Sequence, residues 1–367
     1  MRKEEIKAWA GYPRPNYARV TSEYGDCSAT TPACRESSDL LVKWGATPIF
    51  DEYWRFASLR QAVFVQRLSG EPPPWTSDPI LQTHRFTNPY RFTDRVSQYL
   101  IKEVLTTGSP EPVEVIFRCL LFKIFNRIST WTFFLSHFGT PISGFSVHDY
   151  ASALDDARRS GEPIYSAAYI MPSPAMGGRT KHENHLLLLA SLIKSRELHG
   201  LLESTSLKDL YERLLRVPSF GSFLAFQYAI DLSYSHIFPF TEAGFVVPGP
   251  GAKDGIRKCF AAAHEREFSN IIMWTCATQD EHFRRLGIRF ERLAGRPLQP
   301  IDCQNLYCEL GKYAREAHPG VVGALGRTRI KQRFSTDRAA ALPPLTIPPK
   351  WQAGPQWTDT DLAYATS

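Results

Sequence analysis

Apolar residues return at helical spacing through most of the chain, and sustained two-residue alternation is rare, so a mainly α fold is expected. The pattern predicts helices over 48–68, from about Thr87, over 112–138, and at about 147–159, 181–195, 206–216, 221–235 and 252–266. Another covers 276–294, and a last one runs from Cys303 to Ala317. The stretch from Pro112 to Phe138 is so apolar that it reads as central core, and Asn126 inside it must find a polar partner. Ser, Thr, Pro and Gly punctuate residues 1–45, which read as a loosely ordered arm. One helical body over 46–338 is expected to follow. A Pro-rich tail, 339–367, reads as extended or disordered.

Composition narrows this further. The 367 residues are 43% hydrophobic and 22% charged, which argues against wholesale disorder. The net charge of +6 suits an anionic partner, and basic residues concentrate between Arg315 and Arg338. That segment reads equally as a solvated face or as a phosphate contact. Seven cysteines, at 27, 34, 119, 259, 276, 303 and 308, form no CxxC pair and read as free thiols, with Cys119 and Cys259 in the core. No apolar run has the length of a membrane span, and the N-terminus lacks the apolar stretch of a signal peptide. An intracellular protein is expected, nuclear or cytoplasmic.

Residues 206–235 are the most informative segment. They read as a helix ending near Arg216, a tight turn at Pro218-Ser219-Phe220-Gly221, and a second helix, with Gly221 supplying the backbone freedom of the turn. Unpaired N–H groups at the start of the second helix would seat a phosphate, as in a helix-hairpin-helix that grips DNA backbone without reading sequence. Any two packed helices joined by a glycine turn share this pattern. Asp231 stands ten residues beyond Gly221, flanked by Ala229, Ile230 and Leu232, where apolar surroundings would raise its pKa. It reads either as a carboxylate that stabilises a cationic transition state or acts as general base, or as an ion-pair partner of a neighbouring helix. Gln227, one turn earlier, shares its face and would make a base-reading pair with it.

A second glycine turn, Gly249-Pro250-Gly251-Ala252-Lys253, precedes a helix carrying Arg257 and Lys258. It reads as a tight connection or as a backbone nest for phosphate. The Walker A pattern GxxxxGK[ST] does not occur in the sequence. Arg85, Asn88, Arg91, Asp94 and Arg95 lie together, with Arg91, Asp94 and Arg95 on one face if helical; they read as an ion-paired scaffold or as phosphate clamps. Lys181, His182 and His185 follow Gly177-Gly178, and the histidine pair lacks a third ligand, so no metal site is expected.

Several segments taken in order resemble a known group: RFTNPYRFTDRVSQYL (85–100), FRCLLFKIFNRISTW (117–131), YSAAYIM (165–171), GGRTKHE (177–183), VPSFGSFLAFQYAIDL (217–232), GPGAKDGIRKCF (249–260) and DCQNLYCELGKY (302–313). The chain resembles the helical domain of phage 5-hydroxymethyl-deoxyuridine DNA kinases and the related alpha-glutamyl/putrescinyl-thymine pyrophosphorylase-like proteins. The resemblance implies an all-α fold similar to helix-hairpin-helix DNA glycosylases. It also implies DNA with a modified pyrimidine as partner, and substitution at the C5 substituent of a flipped base. Pyrophosphate on hydroxymethyluracil would be exchanged for an amine, a separate kinase supplying the activated base; no cofactor is expected. Asp231 would be the stabilising carboxylate and Gln227 a base contact. Arg85, Asn88, Arg91, Lys181, Gly221, Ser222, Gly249, Gly251, Lys253 and Lys312 would meet DNA or the leaving phosphate. A glycosylase that excises a modified base and a non-catalytic reader of modified DNA are the alternatives.

Overall fold

The structure, a computed structural model, describes residues 32–139, 142–334 and 342–351. In chain order its helices are α1 (Pro32–Trp44), α2 (Pro48–Leu68), α3 (Pro79–Thr83), α4 (Arg95–Tyr99), α5 (Pro112–Phe125), α6 (Ile128–Phe138), α7 (Val147–Arg159), α8 (Lys181–Lys194), α9 (Glu197–Leu202), α10 (Leu207–Leu214), α11 (Ser222–Ser233), α12 (Pro250–Cys259), α13 (Phe268–Ala277), α14 (Gln279–Arg285) and α15 (Pro300–Ala317). Among the described residues β pairing is limited to two isolated bridges, Ala46 with Phe260 and His84 with Arg333. The all-α expectation holds. By their contacts the described residues group into two compact units, a first within Met1–Arg91 with Pro248–Pro343 and a second within Phe92–Val247 with Pro344–Ser367.

Local chemistry explains where helices start and stop. Thr47 caps α2 through its hydroxyl, and Pro48 occupies the first turn, where a missing N–H costs nothing. The apolar run 112–138 breaks into α5 and α6 because Asn126 takes a left-handed conformation, φ 48°, which its short polar side chain tolerates. The helix expected from about Thr87 starts only at Arg95, as α4, and continues in π geometry over Leu100–Leu105. Pro89 biases Asn88 toward extended backbone, a single 3₁₀ turn covers Arg91–Thr93, and Asp94 stands at the N-cap of α4, so Arg91, Asp94 and Arg95 share no helical face. The helix expected over 252–266 is α12, which Phe260 leaves in extended geometry to bridge Ala46. Over 276–294, α13 and α14 divide at Thr278, and Gly287 in left-handed backbone follows the end of α14.

The arm expected over 1–45 contains α1, which buries Leu41 and Trp44; residues 1–31 lie outside the described residues. Part of the expected loose tail is packed. Trp351 is buried edge-on against Phe92 and Tyr234, and Thr346 donates its N–H to Gln98 at 2.7 Å.

In the first unit α12 lies directly on α15. A Cβ on Gly255 would stand 1.9 Å from the Tyr307 carbonyl oxygen, and one on Gly251 2.2 Å from Cys308 Sγ, so only glycine permits this approach. Buried Lys258 donates to the Gly311 carbonyl at 2.6 Å and pairs with Asp254 at 3.6 Å, stitching the same seam. Trp54 stacks on His282, whose imidazole burial holds at about 3. In the second unit α5 forms the centre, buried continuously from Val115 to Phe125 and packed by α8, α9 and α11. Cys119 and Cys259 are core thiols, as expected.

Candidate functional site

The hairpin α10–α11 belongs to the second unit. Ser206 caps α10 by accepting from Asp209 N–H at 3.1 Å, and α10 packs closely on α11. The left-handed residue of the turn is Ser219, φ 66°, not Gly221, which is extended at φ −77° with open space around its missing Cβ. The turn forms as predicted, but the freedom assigned to Gly221 is used at Ser219. Gly221 and Ser222 are exposed, so the first amides of α11 face outward. Phe223 follows, stacked on Tyr169 with centroids 5.8 Å apart and rings 10° from parallel.

Behind that aromatic pair lies a buried ion pair. Asp231 on α11 meets Lys123 on α5 at 2.9 Å, and the two side chains are 1% and 3% exposed. Lys123 stands one turn before the left-handed Asn126 and donates to its Oδ1 at 3.0 Å. The same ammonium sits 4.7 Å from the Tyr169 ring centroid. Thus the apolar setting expected around Asp231 contains a cation, and the ion-pair reading of this residue is realised. Gln227 is buried one turn before Asp231. Tyr228 is also buried; desolvation, then Cys119 and Asp231, push its phenol well above the usual range.

The connection from α7 to α8 is fixed at many points. Ser166 N–H donates to Phe125 O at 2.9 Å, and Asn126 Nδ2 to Ala168 O at 3.4 Å. His185 bridges the Tyr165 hydroxyl, 2.8 Å from Nδ1, and the Pro172 carbonyl, 2.9 Å from Nε2. A carbonyl only accepts, so Nε2 carries the proton and Nδ1 receives the tyrosine O–H. Burial lowers His185 to about 4, in keeping with a neutral ring. Asn184 accepts from the N–H groups of Met176 and Gly178 and donates to the carbonyls of Gly178 and Thr180. Lys181 lies 4.8 Å from the Tyr165 ring centroid, and burial lowers its pKa. His182 pairs with Asp155 at 3.1 Å. Among the described residues no three His, Cys, Asp or Glu side chains gather as metal ligands.

The remaining predicted residues fall in the first unit and do not join this cluster. Arg91 is 2% exposed and so does not present its guanidinium to a surface ligand. Asn88 accepts from Arg60. Arg85 is exposed, and its carbonyl accepts from Lys312, which also pairs with Glu309 at 2.8 Å and covers Phe86. Gly249 is the N-cap of α12. Gly251 packs against Cys308 of α15, and Lys253 pairs with Glu265. Sequence reasoning passed over Lys123, Tyr169 and buried Glu242. The legible signal for Lys123 was a cation in a strongly apolar helix run, shared with Arg118 five residues earlier. Tyr169 gave no signal, because its placement depends on contacts distant in sequence.

The model of the family described as 5-hmdU DNA kinase, helical domain, matches residues 47–323. The chain belongs to that family. A 5-hmdU DNA kinase of Bacillus phage SP10 is 26% identical over 322 residues, covering 81% of this chain and 50% of the relative. The chain thus spans about half the length of that curated relative. No solved structure matches it. Within the 5-hmdU DNA kinase helical-domain match lie all of α2 to α15, including both Lys123 and Asp231. No helix among the described residues is long and apolar enough to cross a membrane.

Proposed function

We propose that this chain acts on a C5-substituted pyrimidine in DNA, by substitution at the C5 substituent of a base rotated out of the duplex. The observation that carries the reading is the buried Lys123–Asp231 pair beneath the Tyr169–Phe223 stack, next to the exposed first turn of α11. Its likeness to a kinase named for 5-hmdU in DNA supplies the substrate class. Phosphates flanking the target would meet the α11 amides at Gly221 and Ser222, with Lys181 at the start of α8 as a further contact. The aromatic pair would offer a stacking face, and Gln227 an amide for the base edge.

In the transfer, the C–O bond between the exocyclic methylene and its phosphate leaving group breaks, and a C–N bond to an incoming amine forms. Lys123 would receive the negative charge of the departing oxygen. Asp231 would face the positive charge growing at the methylene and accept the proton the amine loses. The near-complete burial of both charges favours one second reading, a reader of modified DNA in which the pair only shapes the pocket.

Incubation with duplexes carrying thymine, 5-hydroxymethyluracil or its pyrophosphorylated form, each with an added amine, followed by nucleoside mass spectrometry, separates these readings. A new nucleoside mass lost in Asp231→Asn supports transfer. A released base means excision, and unchanged DNA with binding intact in both proteins leaves the reader.

A further inference from the structure

Half-buried Tyr169 and exposed Ile170 lie within the Ile164–Thr180 connection. Ile170 is 61% exposed, one of few large aliphatic side chains so open among the described residues. An isolated exposed isoleucine is ordinary on a surface. Three features set this one apart. Tyr169 holds left-handed backbone, φ 55°, which is costly for a residue with a Cβ, so the turn that projects Ile170 is imposed by its surroundings. Those surroundings are rigid: Asn126 holds the carbonyl of Ala168, and His185 clamps Tyr165 to Pro172 on either side of Tyr169 and Ile170. Tyr169 itself lies flat on Phe223, the second residue of α11, and under the ammonium of Lys123. Tyr169 is therefore anchored both to Phe223, next to the proposed phosphate seat at Gly221 and Ser222, and to Lys123 of the ion pair.

An apolar side chain on a stiff support, joined through Tyr169 and Phe223 to the exposed start of α11 and followed in the chain by Arg179, with a 92% exposed side chain, fits a base stack bounded by phosphates. A rotated base leaves a gap between its neighbours that water fills poorly, and a branched aliphatic group fills it by contact alone. We infer that Ile170 is the wedge that enters the duplex where the target base leaves it, with Tyr169 as its support. This inference rests on the base-rotation reading above and adds a residue to it that touches neither the C5 substituent nor the ion pair.

The test uses a duplex with 5-hydroxymethyluracil beside 2-aminopurine, whose fluorescence rises on unstacking, and a single strand of the same sequence, which has no stack to open. Wild type is expected to bind both and to brighten the duplex reporter. Ile170→Ala is expected to lose the brightening and to bind the duplex about tenfold more weakly, while binding the single strand within about twofold of wild type. Ile170→Leu should restore both. Equal brightening by Ile170→Ala, or equal weakening on duplex and single strand, overturns the wedge while leaving the base site standing. Wild type that binds neither form overturns the base-site reading and the wedge with it.

Discussion

Asp231→Asn is the sharpest perturbation of the second unit. It keeps the side-chain volume but leaves the Lys123 ammonium, 3% exposed, without its carboxylate partner at 2.9 Å. Removing one member of a buried pair costs about 3–5 kcal/mol, because the remaining charge stays desolvated. For a body of about 150–250 residues each kcal/mol lowers Tm by about 2–4 °C, so the unit should melt roughly 6–20 °C earlier. Lys123→Met should fall in the same range, and Asp231→Leu combined with Lys123→Met should be more stable than either partner-removing single, since no orphan charge remains. Urea denaturation followed by tyrosine and tryptophan fluorescence measures all these proteins. Additive losses, or a loss below about 1 kcal/mol for Asp231→Asn, would refute the buried pair. If the double variant is stable yet inactive on DNA, stability and chemistry at this site are separated cleanly.

Acid should weaken the second unit through His185. Its folded value is about 4 against about 6.5 for a free imidazole, so the unfolded chain takes up the proton first. The contribution is full above pH 6.5 and is lost as pH falls toward 4, by up to roughly 3 kcal/mol; His185→Gln should flatten the urea midpoint across that window. Gly255→Ala forces a Cβ into the Tyr307 carbonyl and should destabilise the first unit by about 3 kcal/mol or more, whereas Gly221→Ala, with open space and φ −77°, should change stability by less than about 0.5 kcal/mol in thermal melts. Arg327, Arg329, Lys331 and Arg333 are exposed and take part in no ion pair among the described residues. If they neutralise DNA phosphates, replacing them with Gln should reduce the slope of log affinity against log salt by about 0.9 for each phosphate left without its cation; an unchanged slope assigns them to a solvated face.

Much of the fold was legible because helical periodicity is a local signal. Val147–Arg159 and Pro48–Leu68 appear where the pattern put them, and the hairpin α10–α11 forms within two residues of its expected bounds. The errors came where a single residue's backbone decides, as at Asn126, or where a proline and a cap redirect the chain, as at Pro89 and Asp94. The GPGAKDG segment was ambiguous for a physical reason: glycines that let a backbone approach phosphate also let it approach another helix, and Gly251 and Gly255 meet α15. Asp231 and Gln227 were readable as one helical face. Lys123, Asn126 and Tyr169 join them only through tertiary contacts, which periodicity does not encode. The basic segment is described to Phe334, and its end near Arg338 lies outside the described residues.

If a modified pyrimidine is held at the α5–α11 site of the second unit, photocrosslinking will capture it there. A duplex with 5-iodouracil at the target position, irradiated with the full chain and digested, yields a peptide–nucleotide adduct that mass spectrometry locates. The account predicts an adduct at Tyr169 or Phe223, weakened when excess duplex with 5-hydroxymethyluracil competes. Adducts confined to the first unit, or binding to DNA with no competition by the modified base, would contradict it.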